Sequence, residues 1–575
     1  MEFYVRRVRR IFPALVLVLV CSLAFGWLVL MADEYKQLGM HTAGGAGFVQ
    51  NLVLWRESGY FDNLAETKPM LHLWSLAVEE QFYIFWPLLL AFVWKRQWNF
   101  LKITAAIGAV SFLANLYLMH RNPIAAFYLP ISRFWELMIG GVLAYVVLHR
   151  PQLIEMHKKG QSILGFLLIA AGLILVNKGR DFPGWWALLP TLGAFFVISA
   201  GPNAWLNQKL LSNKVTVWIG LISYPLYLWH WVLLSYLRII DSGDAPDLDV
   251  ALAVALAVLL AWLTYQFVEK PVRGGGNRTF KVIALCGLML LVGVSGAVLP
   301  RVDTRTEPAM FFNPAGNVEA NRLNEKHHDI SAYVSLANDD RQVAIRSPYC
   351  HYNLAGQTFE QYKNGMGKCL AIDGSKKNIL IIGDSHAADL YVALSTNYSE
   401  FNFLQVTGAS CTPVLSVHKP GTPCYSLINY GLEFASNNRL DAVIVAARWT
   451  DGYDDIATSI SRIRQGNSNI YLVGPPVEFT ADAHRVILRS REPLSKSRFL
   501  DKTKILINNQ LKSMAAANNL HFIDRISLYC GADLNCPIVS NDGELLVVDY
   551  GHLTGLGARY LGSVMRRHGS LSGLE

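Results

Sequence analysis

The chain is 575 residues long, which exceeds one ordinary domain. With 52% apolar and only 16% charged residues it departs from a purely soluble protein, where about 25% would be charged. The net charge of +8 comes from basic residues that are scattered and mostly flank apolar blocks, which argues for membrane topology and against a nucleic-acid footprint.

In chain order, residues 1–300 carry repeated apolar blocks and 301–575 reads as a soluble α/β protein. A bilayer crossing needs about 20 apolar residues, somewhat fewer at the margin. Blocks near 11–31, 74–94, 101–118, 134–148, 162–177, 186–200, 215–237, 249–268 and 281–300 give nine predicted spans. A Gly-rich block at 40–54 is predicted to be re-entrant or surface-lying. If it does not cross, the basic connectors fall on one side: Arg6, Arg7, Arg9 and Arg10, then Lys95, Arg96 and Lys102, Arg150, Lys158 and Lys159, Lys209 and Lys214, and Lys270, Arg273, Arg278 and Lys281. The opposite side holds Asp241, Asp244, Asp247 and Asp249. That positive-inside pattern predicts a cytoplasmic N-terminus and residues 301–575 outside. The first block is long and lacks a small-residue cleavage site, so it is expected to remain as an anchor. The domains predicted are a membrane domain at 1–300, a polar linker at 301–375 and a catalytic domain at 376–575.

Cys21 and Cys286 lie in apolar blocks. The other six cysteines all follow residue 300, which suggests disulfides in an oxidising compartment. Six allow 15 connectivities. The simplest pairs neighbours: Cys350–Cys369, Cys411–Cys424 and Cys530–Cys536. Reduced thiols are the alternative. Zinc is disfavoured because no CxxC pair is present, and no metal is expected.

Residues 378–390 read Asn-Ile-Leu-Ile-Ile-Gly-Asp-Ser-His-Ala-Ala-Asp-Leu: a buried strand, a turn permitted by Gly383, then a helix from Ala387. Ser385 is thereby presented at the C-terminal edge of a sheet near the positive end of a helix, which suits a nucleophile whose intermediate is an oxyanion. By itself Gly-Asp-Ser could equally be a helix cap. Near the C-terminus comes Asp-Tyr-Gly-His at 549–552. His552 can serve as the base that a serine hydroxyl needs, with Asp549 fixing its tautomer. The bland alternative is a capping Asp and a surface His. His386, beside Ser385, is the rival base, but its side chain is expected to point elsewhere. Strands at 441–447, 469–473 and 520–524 alternate with helical stretches and imply a parallel three-layer sheet.

Gly-Asp-Ser at the start and Asp-x-x-His at the end resemble the SGNH/GDSL hydrolase superfamily. The resemblance implies Ser385 as nucleophile, its amide as an oxyanion donor, and Gly408 in Val-Thr-Gly-Ala-Ser as a second donor. Where the superfamily has an Asn, this chain has Arg448 in Ala-Ala-Arg-Trp. Arg448 could replace that donor, bind glycan or form a structural ion pair. In the first half, Phe-Tyr-Val-Arg-Arg-Val-Arg-Arg-Ile-Phe-Pro at 3–13, His-Leu-Trp-Ser-Leu-Ala-Val-Glu-Glu-Gln-Phe-Tyr at 72–83, Arg-Phe-Trp-Glu-Leu at 133–137, Ser-Tyr-Pro-Leu-Tyr-Leu-Trp-His at 223–230 and Phe-Val-Glu-Lys-Pro at 267–271 resemble the acyltransferase-3 family of membrane acyltransferases. Glu79, Glu80, Glu136 and His230 are ionisable groups inside spans, where they are costly and usually functional. Arg7 and Arg10 suit the phosphates of acetyl-CoA. The alternatives are topology for the arginines and helix–helix hydrogen bonds for the glutamates. The resemblance further implies two earlier spans bearing a catalytic His, for which His72 is the nearest substitute here.

The combined resemblance implies an O-acetyltransferase of the bacterial inner membrane. It would move acetyl from cytoplasmic acetyl-CoA, a substrate rather than a tightly bound cofactor, to an envelope glycan such as a lipopolysaccharide O-antigen. A tethered esterase and a non-catalytic glycan-binding or export protein are the competing readings. A hydrolase needs one anchor, not nine spans, which favours transfer.

Overall fold

The computed structural model describes residues 2–574 except 59–64, 156, 178–179, 242–244, 275–277, 303–317, 328–329, 355–357, 451–452, 468 and 490–498. Asp244 of the acidic connector and the first part of the expected linker lie outside the described residues. The chain divides into two compact units, a helical one ending in the helix Arg278–Val302 and an α/β one holding the residues from Val318 onward.

Among the described residues of the helical unit, seven helices are long and apolar enough to cross a membrane: Glu2–Val29, Leu73–Lys95, Phe100–Arg121, Lys158–Leu175, Lys214–Asp241, Asp247–Arg273 and Arg278–Leu299. The expected count of nine is met only by adding two shorter apolar helices, Phe134–His149 and Trp185–Ala200. At 1.5 Å per residue, 16 residues reach about 24 Å, short of a hydrocarbon core of about 30 Å. The 40–54 block is no continuous helix. Helix Ala32–Ala46 stops at a turn where Phe48 takes a positive φ of 54°, and Gln50–Glu57 follows. The core gathers around Glu2–Val29, whose Ala14, Leu15, Val18 and Leu19 cluster with Leu73, Leu76, Leu228, Val232, Met289 and Val292. Leu113, Leu173 and Leu290 are exposed, as lipid-facing positions of spanning helices are.

The α/β unit is built on six parallel strands in the order β1-β3-β2-β4-β5-β6. They are β1 His351–Tyr352, β2 Lys377–Gly383, β3 Phe401–Gly408, β4 Ala442–Ala446, β5 Ile470–Val473 and β6 His521–Ile523. Successive side chains of a strand point to opposite faces. On β2, Ile379 and Ile381 join one core while Leu380 and Ile382 join the other. Both faces are covered by helices, so β2 reads as an unbroken apolar run. Strands β1 and β3 were not among those expected from sequence. The expected boundary near Lys376 falls inside the packed unit, because β1 pairs with β3 and Ala320, Leu323, Ile330 and Ile345 join the same core as Ile379. The helices Val318–Lys326 and Ile330–Ala344 therefore belong to this unit, although their polar composition reads as a connector.

The six downstream cysteines pair as neighbours, Cys350–Cys369, Cys411–Cys424 and Cys530–Cys536, and Cys21 and Cys286 are free thiols.

Candidate active site

Strand β2 ends at Gly383, where a Cβ would lie 1.7 Å from the carbonyl oxygen of Ala446. Only glycine lets β2 and β4 finish side by side. Asp384 then caps the helix Ser385–Asn397, its carboxylate accepting from the His386 N–H at 2.9 Å and the Arg448 N–H at 2.7 Å. Burial pushes the Asp384 carboxyl up, against the pull of those two bonds. Ser385 is the first residue of the helix, where backbone N–H groups lie outside the helical ladder.

The second half of the site comes from the loop before the helix Gly555–Arg567. That helix lies tight against Ser385–Asn397, since a Cβ on Gly562 would meet the Ala393 carbonyl oxygen at 2.0 Å. Asp549 closes the loop on itself, one carboxylate oxygen accepting from Gly551 N–H at 2.9 Å and His552 N–H at 2.8 Å. Its other oxygen lies 2.7 Å from Nδ1 of His552. A carboxylate only accepts, so Nδ1 carries the proton and Nε2 is left to accept from the Ser385 hydroxyl, 2.9 Å away. Ser385 and His552, 167 residues apart, are both buried. Burial would raise the Asp549 carboxyl, but the His552 ring and the two backbone N–H groups outweigh it and hold the group well below the usual carboxylate range. The relay can move a proton from Ser385 to a base whose developing charge faces a fixed carboxylate.

His386 does not point elsewhere, as its place on the turn had implied. Its ring stacks on His552 with centroids 4.1 Å apart and planes 6° from parallel. Burial, followed by the neighbouring His552 and the arginines, drives its pKa well below the ordinary value, so it packs as a neutral ring. His351, buried with Nδ1 3.1 Å from the Thr407 hydroxyl, is likewise pushed down to about 3, mainly by burial.

Gly408 ends β3 beside Gly383, its neighbour Thr407 in register with that residue, so both reach the same sheet edge as Ser385. The Arg448 guanidinium donates through Nε and Nη2 to the buried Glu478, each at 2.9 Å, and lies 4.5 Å over the Tyr550 ring. Of its three readings, the ion pair is the one these contacts describe. Glu478 also holds Lys504 at 3.1 Å. Sequence reasoning missed Glu478, Lys504, Arg341, Asp389 and Arg525. Buried Arg525 donates to the carbonyls of His386 at 3.2 Å and Ala447 at 3.1 Å, and burial lowers its pKa to about 10. One signal was available: Asp389 follows Ser385 by four residues on a helix and so shares its face.

Of the candidates in the helical unit, Arg7, Glu79 and Glu80 come together, while Glu136 and His72 have other partners. Arg7 pairs with Glu80 and, at 3.4 Å, with Glu79, and its guanidinium lies 3.4 Å over Tyr83. Arg10 is exposed, while its neighbour Arg9 binds the carbonyls of Val272, Arg273 and Gly274. Glu136 pairs with Arg133 at 3.2 Å. His72 is buried beside Tyr227 and, 6.2 Å away between centroids, His230. Among the described residues, no group of three or more His, Cys, Asp or Glu is arranged to hold a metal ion.

Residues 1–300 match the model of an acyltransferase domain, and residues 349–567 match that of an SGNH domain fused to such domains. Among curated proteins, YrhL of Bacillus subtilis, provisionally named a peptidoglycan O-acetyltransferase, is 28% identical over 301 residues, covering 48% of this chain and 46% of its own. The peptidoglycan O-acetyltransferase OatA of Listeria monocytogenes is 29% identical over 293 residues, covering 48% and 46%. The chain thus spans about half the length of the curated relatives it matches. Among solved structures, the periplasmic domain of a Salmonella Paratyphi A lipopolysaccharide acetyltransferase is 21% identical with a TM-score of 0.36, covering 43% of this chain and 98% of that one. With more than half of its length in the acyltransferase match and the Ser385–His552–Asp549 relay inside the SGNH match, the chain belongs to the family of membrane acyltransferases fused to an SGNH domain.

Proposed function

We propose that the protein is an O-acetyltransferase that moves acetyl from cytoplasmic acetyl-CoA across the inner membrane and esterifies a hydroxyl of an envelope glycan, a lipopolysaccharide O-antigen or similar polymer, through an acyl-Ser385. The observation that carries this reading is the relay of Ser385, His552 and Asp549, at 2.9 and 2.7 Å, in a chain whose other half is a multi-pass acyltransferase unit. In the transfer step, Ser385 Oγ attacks the acyl carbonyl and gives its proton to His552 Nε2, which passes it to the departing donor group. The sugar hydroxyl then attacks the serine ester, loses its proton to His552 and leaves with the acetyl group, and that proton returns to Ser385 Oγ. Asp549 holds the tautomer and faces the imidazolium. The Ser385 and Gly408 amides would receive the oxyanion. Arg7 and Arg10 would meet the phosphates of acetyl-CoA.

Mass spectrometry of envelope glycan with and without the intact gene tests this. Acetyl added by the gene supports transfer, acetyl removed by it supports a tethered esterase, and no change supports a glycan-binding or export protein. Topology is tested separately. Reporter fusions after residue 310 are expected to be active outside the cytoplasm and those near residue 155 inside. A cytoplasmic signal at 310 overturns the placement of the α/β unit in the periplasm.

A further inference from the structure

Behind the relay lies a buried ion pair that joins both of its ends. Arg341, on the helix Ile330–Ala344, donates through Nε to Asp389 at 2.7 Å and through Nη2 to the Ser385 carbonyl oxygen at 3.3 Å. Asp389 sits one turn below Ser385 on the same helix, and its second oxygen accepts from the Leu553 N–H at 3.1 Å. Leu553 directly follows His552. One guanidinium and one carboxylate, each side chain only 3% exposed, thus tie the helix of the serine to the loop of the histidine. Burying such a pair is a poor route to stability, because the desolvation cost consumes most of the attraction and apolar replacements are often as good. What the pair supplies is fixed geometry across the Oγ–Nε2 contact, where a displacement of about 1 Å can cost on the order of a hundredfold in rate.

We propose that Arg341 is a positioning residue for the reaction: through Asp389 and the Ser385 carbonyl it holds the nucleophile and the His552 loop in register. It lies before residue 349, where the SGNH match begins, on a helix whose sequence reads as linker. The inference rests on the reading of Ser385 and His552 as nucleophile and base.

The test uses the full chain in detergent with p-nitrophenyl acetate as substrate, following kcat, KM and melting temperature. Arg341→Met is expected to lower kcat by roughly 30- to 100-fold, with KM within about twofold. Arg341→Met combined with Asp389→Leu removes the stranded charge, so the melting temperature is expected to recover while kcat stays low. Recovery of both in the double variant, or a kcat unchanged in Arg341→Met, makes the pair merely structural and overturns the proposal. Should neither variant fold, Arg341→Lys decides. It can still meet Asp389 but lacks the fork that also reaches Ser385, so a lowered kcat at unchanged KM supports the role and a wild-type kcat overturns it. Ser385→Ala is run beside them. If it stays active, the underlying reading fails and the inference with it. If it is dead while the Arg341 variants keep wild-type kcat, only the inference fails.

Discussion

The two units of the chain distribute their buried charged side chains differently. In the helical unit the buried charges pair in small separate groups, Arg7 with Glu79 and Glu80, Arg133 with Glu136 three residues on, and Arg9 with three backbone carbonyls. In the α/β unit the pairs gather around one turn: Ser385 meets His552, Arg341 meets Asp389 and the Ser385 carbonyl, and Arg448, whose N–H meets Asp384, pairs with Glu478. The difference follows from architecture. A spanning helix satisfies its own backbone, so a stray charge need only find one partner on a neighbouring helix. A parallel sheet brings the C-terminal ends of all its strands to one edge, so the loops leaving β2, β3 and β4 deliver side chains to a common place.

The sharpest way to break this contrast is to remove one converging group. Ser385→Ala is expected to cut ester hydrolysis by the full chain by about 10⁴-fold or more, with His552→Ala nearly as severe and the double variant little worse than either, since the groups act as a unit. Independent, additive losses would mean that the relay does not work as one. Asp549→Asn is expected to cost up to about 10⁴-fold through loss of tautomer and orientation. It also has a stability signature. The folded Asp549 carboxyl lies below its unfolded value of about 3.9, so its contribution is complete above that value and fades as pH falls further toward the folded one. Thermal melts between pH 7 and 3 are expected to show that acid-side loss in the parent chain and a smaller one in Asp549→Asn. Equal slopes would remove the assignment.

A smaller effect is expected from the covalent framework. Replacing Cys350 and Cys369 by serine opens a loop of sequence separation 19 and is expected to cost about 3 kcal/mol in the loop-entropy picture, read as a lowered melting temperature of the α/β unit with the free-thiol count unchanged. In the helical unit, Arg7→Gln leaves the Glu80 carboxylate without its guanidinium. It is expected to destabilise by roughly 1–3 kcal/mol while p-nitrophenyl acetate hydrolysis stays within about twofold. A large loss of hydrolysis would show that the units are not independent in chemistry. The smallest effect is expected from His386→Ala, which removes only a stacked neutral ring. Activity should fall less than about tenfold. If His386→Ala is inactive and His552→Ala active, the base is His386, and Asp549 and His552 revert to a cap and its neighbour.

By itself the sequence determined the features carried by period and motif. An apolar run followed by Gly-Asp-Ser placed Ser385 at a strand–helix turn, because only glycine passes so close to the Ala446 carbonyl. Asp-x-x-His put base and orienter on one loop, because three residues suffice to bring Asp549 onto the His552 ring. Neighbouring cysteines pair because short loops keep them close. Tertiary structure decided what depends on proximity between distant segments. The short strand β1 has too few residues to show a period, yet it pairs in parallel with β3. Helix Ile330–Ala344 is polar enough to read as linker, yet its Arg341 is buried because Asp389 offers the countercharge. His386 follows the nucleophile in sequence, but only the approach of the 549–552 loop decides that its ring lies flat against His552. Arg448 could have met an oxyanion, a glycan or an acid, and the fold placed Glu478 beside it, where a fork of donors and a carboxylate match in geometry as well as charge.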